Sequence, residues 1–367
     1  MTETREGDGN LGTNPVSAEP QLRLSVIVPA RNEATSLGVC LESLLSQSEP
    51  GFALGAQWEL IVVDDDSSDG TRGIADAAAA GRNGVFVMSA PPLDLSPLGG
   101  FTGKTNACWA GVQKARGAWF LFTDADTLHE PGDLSRAIHE AEKYHASLLS
   151  YSPRQIIIGF WQHTLMPLVF AELASAYPPK QVSDPNYRVA AANGQFLLVE
   201  RDAYFSVGGH RNVGREILED VALARAIKRA KYGIRFRYAP EALATRMYRT
   251  LPEMIEGWAK NLALLFPRPI LLAGMQILQF MLFFGLPPLA LWMPFLMPWQ
   301  RWAILLVWLR TSWGFYNRVA RSHFPATDVA IAILGVPLFA WLLIRSTIHH
   351  RVTRSVKWKG RAYTTGR

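Results

Sequence analysis

Between Leu24 and Thr123 the chain repeats one pattern three times, a short apolar run, a polar cluster and a stretch with helical spacing, and then begins it again with a fourth apolar run. Leu24-Ser25-Val26-Ile27-Val28, Trp58-Glu59-Leu60-Ile61-Val62-Val63, Val85-Phe86-Val87-Met88 and residues 118–123 are rich in β-branched and aromatic residues and have strand length. Pro29-Ala30 ends the first of them. Between the runs lie helical stretches: Arg31 through Gln47, with Leu37, Leu41, Leu44 and Leu45 on one face, then residues 72–80, then Lys104 to Ala115. Strands and helices in alternation fold as a mostly parallel sheet with helices on both faces. That shape also constrains function, because ligands bind outside the carboxyl ends of such strands. The residues at those ends are Pro29-Ala30-Arg31, Asp64-Asp65-Asp66, Ser89-Ala90 and Asp124-Ala125-Asp126, and all four clusters fall on one sheet edge.

The fourth cluster carries the most specific chemistry. In extended backbone, residues i and i+2 point the same way, so Asp124 and Asp126 can converge. Two hard oxygen ligands suit a divalent cation that keeps positions open for phosphate oxygens. A chain this long contains about one Asp-x-Asp by chance. The pair gains meaning from its place after a parallel strand. Two other features compete with bland readings. Asp66 to Asp69 can cap a helix, and so can Glu219-Asp220, which opens the helix running to about Lys231. Lys104 stands at a helix start, where a cation is disfavoured by the dipole, which argues for a dedicated partner.

Farther along, a helix near 131–145 is followed by strands at 147–151 and 196–199, and Ile234–Tyr238 reads as the last strand. Ile156 through Tyr177 is long and apolar but is interrupted by His163, Pro167 and Glu172. It reads either as a helix at a membrane interface or acceptor groove, or as an ordinary core helix. From 268 to 345 the composition shifts to Trp, Phe, Leu and Pro. Residues 270–297 have hairpin or single-span length, 302–316 is short and carries Arg310, and Asp328–Ile344 is one span. At about 20 apolar residues per span, this gives two to four crossings.

The net charge of +6 points to a membrane surface and not to nucleic acid. Residues 345–367 hold a cluster of Lys and Arg with no acid, and no aromatic–basic reading module is present. The charge rule puts this basic tail in the cytoplasm, beside a cytoplasmic first domain, which requires an even number of crossings. Hydropathy most naturally gives three, so the two arguments conflict, and the tail-inside reading is preferred. Cys40 and Cys108 lie outside any CxxC or metal-ligand spacing and read as buried structural thiols in a reducing compartment. Residues 1–21 are polar, lack an apolar signal segment and read as a disordered leader.

Taken together, these clusters resemble the donor half of a family 2 glycosyltransferase with the GT-A fold. The residues that carry the resemblance are Val26 to Glu33, Val62 to Thr71, Gly103-Lys104-Thr105-Asn106-Ala107 and Thr123-Asp124-Ala125-Asp126, followed by Gly194-Gln195 and Glu219-Asp220. The resemblance covers residues 22–260 and implies an α/β, Rossmann-like GT-A domain; hydropathy and charge add C-terminal α-helical membrane segments over 268–345 and a basic tail over 346–367. It implies that Pro29, Ala30 and Glu33 shape the nucleotide pocket, that Asp65 meets the uracil edge with Asp64 as the alternative, and that Lys104 lies near the phosphates. It further implies that Asp126 binds Mg²⁺ or Mn²⁺ with help from Asp124, and that Asp220 is the base that deprotonates the acceptor. Glu219, Gln195, Trp258 and Lys260 fall on the acceptor and diphosphate side.

The chain departs from the processive synthases of that family. Where they carry Gln-x-x-Arg-Trp, it reads Met254-Ile255-Glu256-Gly257-Trp258-Ala259-Lys260, keeping only the Trp. That favours transfer of a single sugar. Gly208-Gly209-His210 and the tail Val356 to Tyr363 are similar to bacterial hopanoid-associated, carotenoid and ceramide-type enzymes. The expectation is an inverting, metal-dependent transferase in a bacterial inner membrane, with its catalytic domain cytoplasmic. It would move one sugar from a nucleotide donor, UDP-linked, to a lipid. The alternatives are a polyprenyl-phosphate or extracellular-polysaccharide transferase, or, in another class, a non-catalytic nucleotide-sugar sensor or membrane scaffold.

Overall fold

A computed structural model describes residues 22–94, 100–353, 355–358 and 361–364. The leader 1–21 and part of the Pro/Gly-rich loop after Pro91 lie outside the described residues. The chain begins with β1 (Leu22–Ala30), α1 (Leu37–Leu45), β2 (Trp58–Asp64), α2 (Thr71–Ala79), β3 (Val85–Ser89), α3 (Gly103–Val112) and β4 (Gly117–Phe122). It continues through β5 (Thr127–His129), α4 (Asp133–Lys143), β6 (Leu148–Ser152), β7 (Arg154–Gln155), α5 (Phe160–Ala176) and α6 (Pro179–Ser183). Then come β8 (Leu197–Glu200), α7 (Arg201–Ser206), α8 (Gly209–Asn212), α9 (Glu219–Arg229), β9 (Ile234–Tyr238), β10 (Leu243–Thr245) and α10 (Leu251–Leu265). The helical region is α11 (Pro269–Trp292), α12 (Pro298–Val319), α13 (Ala326–Ile331) and α14 (Val336–Ile348), and a hairpin of β11 (Ser355–Trp358) and β12 (Arg361–Thr364) closes the chain.

Seven strands form one sheet in the order β3-β2-β1-β4-β8-β6-β9. The expected parallel half is present: β1 lies between β2 and β4, parallel to both, and β3 extends it. β8 is antiparallel to β4 and β6, and β9 runs parallel to β6. Side chains alternate across a strand, and both sheet faces are covered. Val26, Val28, Leu60 and Val62 pack with α1, α2 and α4 on one face. Ile27, Ile61 and Val63 pack with α3, α7 and α9 on the other. Each such side chain contributes about 1.5–3 kcal/mol by leaving water. Cys40 and Cys108 are buried, one in each of these layers, as free thiols.

Several boundaries differ from the sequence reading. β1 continues through Pro29 to Ala30. Proline has no N–H to give a sheet, but pairing to β4 stops at Ile27, so beyond that point β1 has a strand on one side only. α1 starts later than expected, at Leu37: Asn32 has a left-handed φ of 51°, outside the helical region, and the N–H groups of Asn32, Glu33 and Ala34 bond Ser67, Thr71 and Asp69 of the next loop. β9 is not the last strand of the domain: β10 pairs with β5 and β7 in a small second sheet. These strands have two or three residues, too few to show a period.

The helical region forms a third core, in which α5 and α10 pack against α11, α12 and α14. α5 is therefore in part a core helix, with Leu165, Leu168 and Val169 fully buried. α12 is one 22-residue helix, longer than the apolar stretch 302–316. It runs antiparallel to α11: Gln279 Nε2 donates to the Thr311 carbonyl and Trp308 Nε1 to the Phe283 carbonyl. Arg301 donates to the carbonyls of Leu291, Met293 and Leu296, which satisfies the turn of this hairpin from within. Among the described residues, two segments are long and apolar enough to cross a membrane, Pro269–Trp292 and Ala326–Thr353. Their surroundings differ: the most apolar window of the first is 17% buried and that of the second 50%. The second passes close to α5 at Gly335, where a Cβ would lie 2.4 Å from the Thr164 carbonyl oxygen.

Candidate active site

One cavity of about 1360 Å³ opens along the carboxyl edge of the parallel strands and continues between α5, α9 and α10. It exceeds the roughly 300–1,000 Å³ common for small-molecule sites. Every residue singled out from the sequence lines it, with one exception. Pro29, Ala30, Glu33, Asp65, Lys104, Asp124, Asp126, Gln195, Glu219, Asp220, Trp258 and Lys260 are on its wall; Asp64 is not. Of the two alternatives, Asp65 and not Asp64 faces the cavity.

At one end, the β1–α1 and β2–α2 loops brace each other. The Arg31 guanidinium donates to the main-chain carbonyls of Asp65 and Asp66 at 2.5 and 2.8 Å. Asp69 accepts from the Ala34 and Thr71 N–H groups, so it ties the two loops together and also takes the first N–H of α2, which begins after Gly70. The Glu33 carboxylate accepts the Ser36 hydroxyl at 2.6 Å. Asp65 is raised from the usual carboxylate range by burial, an effect that Arg361 and Arg31 oppose.

The Asp124-Ala125-Asp126 segment lies in the turn between β4 and β5, not in extended strand, and Thr127 N–H donates to the Asp124 carbonyl at 3.1 Å. A buried network holds this turn. His129 sits between Thr123 Oγ1 at 3.0 Å and Asp133 Oδ2 at 2.6 Å. The Thr245 hydroxyl donates to the Asp126 carbonyl and in turn accepts from Gln195 Nε2. Gln195 thus braces the acid turn from across the cavity. Two carboxylates on one wall supply hard oxygen donors that fit a divalent cation sharing its remaining positions with a diphosphate. Among the described residues no three His, Cys, Asp or Glu side chains form a closed ligand set.

Lys104 joins the two halves of the site. Its Nζ lies 2.7 Å from Asp124 Oδ1 and 2.9 Å from Glu219 Oε1. Burial works against its charge, but Asp124 and Glu219 outweigh it and hold the ammonium well above its ordinary range. A Thr102–Thr105 capping box starts α3 and fixes the lysine's origin. Gly194 makes the approach possible: a Cβ there would stand 2.8 Å from Lys104 Nζ.

Asp220 is held at the start of α9. Its Oδ2 accepts the Gly194 N–H at 2.8 Å and its Oδ1 the Val221 N–H at 2.7 Å. Burial, with Glu219 adding to it, pushes this carboxyl up to about 7, while Lys104 and the two N–H groups pull the other way. A carboxylate with a proton affinity near neutrality can take a proton from an alcohol as a bond forms. His210 is not part of this chemistry. It is buried in the core against Phe122, bonded to the Tyr204 hydroxyl, and pushed down to about 3 by burial and by Lys104.

Beyond Asp220 the wall turns apolar and aromatic. Phe170 and Leu173 of α5, Trp258 of α10 and Leu265 face it. Trp258 is 3% exposed, lies edge-on to Tyr248 and Phe170, and its buried Nε1 meets no acceptor among the described residues. Sequence reasoning missed Tyr177, whose hydroxyl donates to the Leu265 carbonyl, and Arg321 and His323, contributed by the helical region. No local motif marks them; their signal is only that they lie beside apolar segments which fold back on the domain.

Residues 25–205 match the family model described as glycosyl transferase family 2. The 4,4'-diaponeurosporenoate glycosyltransferase of Staphylococcus haemolyticus (strain JCSC1435) is 27% identical over 353 residues, which cover 93% of this chain and 88% of that protein. Its Staphylococcus aureus (strain MRSA252) namesake is 27% identical over 248 residues, 65% of this chain and 60% of its own length. Among solved structures, a mannosyltransferase from Pyrobaculum calidifontis in complex with GDP-Man and Mn²⁺ matches with a TM-score of 0.50 at 17% identity, covering 93% of this chain and 90% of that one. At that identity the likeness is one of fold, and the fold is GT-A.

Proposed function

We propose that this chain, a family 2 glycosyltransferase, moves a single sugar from a UDP-linked donor to a hydroxyl of a lipid held at a membrane surface. The observation that carries the reading is the continuity of one cavity. Asp65, Asp124, Asp126 and Asp220 line the same cavity as Phe170, Leu173 and Trp258 of the apolar wall shared with the helical region.

Asp65 accepts the ring N–H of the base, a hydrogen bond that uracil can give. Asp126, with Asp124, would hold Mg²⁺ or Mn²⁺, which when bound neutralises charge on the departing diphosphate. Lys104 stands beside Asp124 and is available to the same oxygens. The acceptor oxygen attacks the anomeric carbon from the side opposite the diphosphate. The bond to the diphosphate breaks with its electron pair, the acceptor proton passes to Asp220, and the anomeric centre inverts. The Gly194 and Val221 N–H groups fix both Asp220 oxygens, so the base is oriented before substrate arrives.

The helical region supports a membrane setting. The α11–α12 hairpin exposes a wide apolar face that includes Trp292, Phe295, Trp299 and Trp302 near its turn. Aromatic clusters of this kind belong at a membrane interface. The C-terminal segment returns to the catalytic domain, since Arg361 Nη1 donates to Asp65 Oδ2 at 2.5 Å. Domain and tail then share one side, as the charge rule requires, if α11 and α12 enter and leave together. The relatives named for diaponeurosporenoate glycosylation fit an apolar acceptor. The test is incubation of the full chain in vesicles with Mn²⁺, labelled nucleotide sugars and a lipid extract. Label in one discrete lipid supports the reading; label in high-molecular-weight material, or turnover with no donor, refutes it.

A further inference from the structure

The basic C-terminal segment does more than flank an apolar region. At the end of α14, His350 Nε2 lies 2.7 Å from the Lys260 carbonyl oxygen, which anchors the segment to α10. β11 then packs on α10 and pairs with β12. The first residue of β12, Arg361, reaches the carboxyl end of β2. Its Nη1 donates to Asp65 Oδ2 at 2.5 Å, and its Nη2 lies 3.5 Å from Asp66 Oδ2. The Arg361 and Asp65 side chains are 10% and 7% exposed. Arg31 grips the main-chain carbonyls of the same two aspartates, so two guanidinium groups hold one loop from different sides.

Which side Arg361 occupies decides what it can do. Asp65 lines the cavity and Arg361 does not. The arginine therefore backs the carboxylate without filling the donor space. It takes Oδ2, while Oδ1 accepts no hydrogen bond from any described residue. A planar fork of this kind fixes a carboxylate plane better than a point charge does.

We propose that Arg361 is a positioning residue for the donor. Carried back by the C-terminal hairpin, it clamps Asp65 by one oxygen so that the other is presented to the N–H of the nucleotide base. This rests on the assignment of Asp65 to the base made above. It also makes the far end of the chain part of the nucleotide site, 296 positions from the residue it orients.

The test reads UDP binding by calorimetry, with Mn²⁺ present, in the full-length protein in detergent. The proteins are the wild type, Arg361→Ala, Arg361→Lys, Asp65→Asn and the double variant Asp65→Asn/Arg361→Ala. Loss of one charged hydrogen bond predicts weakening of UDP binding by about tenfold in Arg361→Ala. Arg361→Lys recovers part of it, and donor KM rises with kcat little changed. In the Asp65→Asn background Arg361→Ala has no further effect. A tail substitution can also loosen the fold, and the double variant separates the two causes: a general loss persists without the Asp65 carboxylate, whereas a loss acting through Asp65 does not. UDP affinity unchanged in Arg361→Ala, tightened in it as release of an inhibitory tail would give, or an additive loss in the double variant overturns the proposal. Normal UDP binding by Asp65→Asn alone overturns the base assignment, and this role for Arg361 with it.

Discussion

Replacing Glu219 with Gln should let the enzyme keep working at lower pH. The carboxyl of Asp220 is pushed up to about 7 by burial first and by Glu219 second. As the proposed base it must be ionised, so rate falls as pH drops through that value. One point on Gly194, where a Cβ would stand, lies 3.4 Å from Asp220 Oδ2 and 3.6 Å from Glu219 Oε1, so the two oxygens are no more than about 7 Å apart. At roughly 7 Å and an effective dielectric of about 20, two like charges repel by about 2.4 kcal/mol. At 1.36 kcal/mol per unit, that is roughly 1.7 pH units. Water in the open cavity screens part of it, and about one unit is the expected shift. Lys104, now bonded to Glu219 at 2.9 Å, would turn its field more fully on Asp220, which acts in the same direction. The assay is initial-rate kcat/KM for labelled donor from pH 5 to 9, for the wild type and Glu219→Gln. A midpoint that stays in place, or moves to higher pH, would refute the electrostatic account of this base.

Two further perturbations probe other links. Asp126→Ala should weaken Mn²⁺-dependent UDP binding on the order of tenfold or more, measured by titration with and without chelator; a metal dependence equal to wild type removes Asp126 from the site. Arg116→Ala should destabilise the domain by about 2 kcal/mol, because it strips the guanidinium from a buried carboxylate. Glu59, fully buried in β2, accepts Arg116 Nε and Nη2 at 2.9 and 2.7 Å and keeps only the Ser25 hydroxyl and the Arg116 N–H. Denaturant unfolding reads this directly, and an unchanged midpoint would show that the pair contributes nothing.

The parallel half of the sheet was legible because β1, β2 and β4 are largely buried on both faces and so read as nearly continuous apolar runs, and the residues after each run mark the site edge. The candidate site was legible for the same reason: Asp65, Lys104, Asp124 and Asp126 follow strands or start a helix at that edge. Three things were not. β5, β7 and β10 are too short to carry a period, so the small sheet that braces the acid turn left no signal. The stretch 302–316 read as short and carried Arg310, whereas α12 spans 22 residues and leaves that arginine exposed. The tail's contact with Asp65 joins residues at opposite ends of the chain, and a run of Lys and Arg reads as a membrane flank whether or not one of them folds back. Long-range pairings of single side chains are the part of a site that periodicity does not encode.

The central claim is a division of labour: Asp124 and Asp126 serve the leaving group and Asp220 the nucleophile. Asp220→Asn tests it most directly, because the change removes the base and preserves the shape. In the same preparation one measures UDP affinity with Mn²⁺ and label transferred from donor to extracted lipid. The account predicts UDP binding within about twofold of wild type and transfer lowered by at least about a hundredfold, the scale of lost general-base catalysis. Transfer near the wild-type rate, or loss of binding and transfer together, would contradict it.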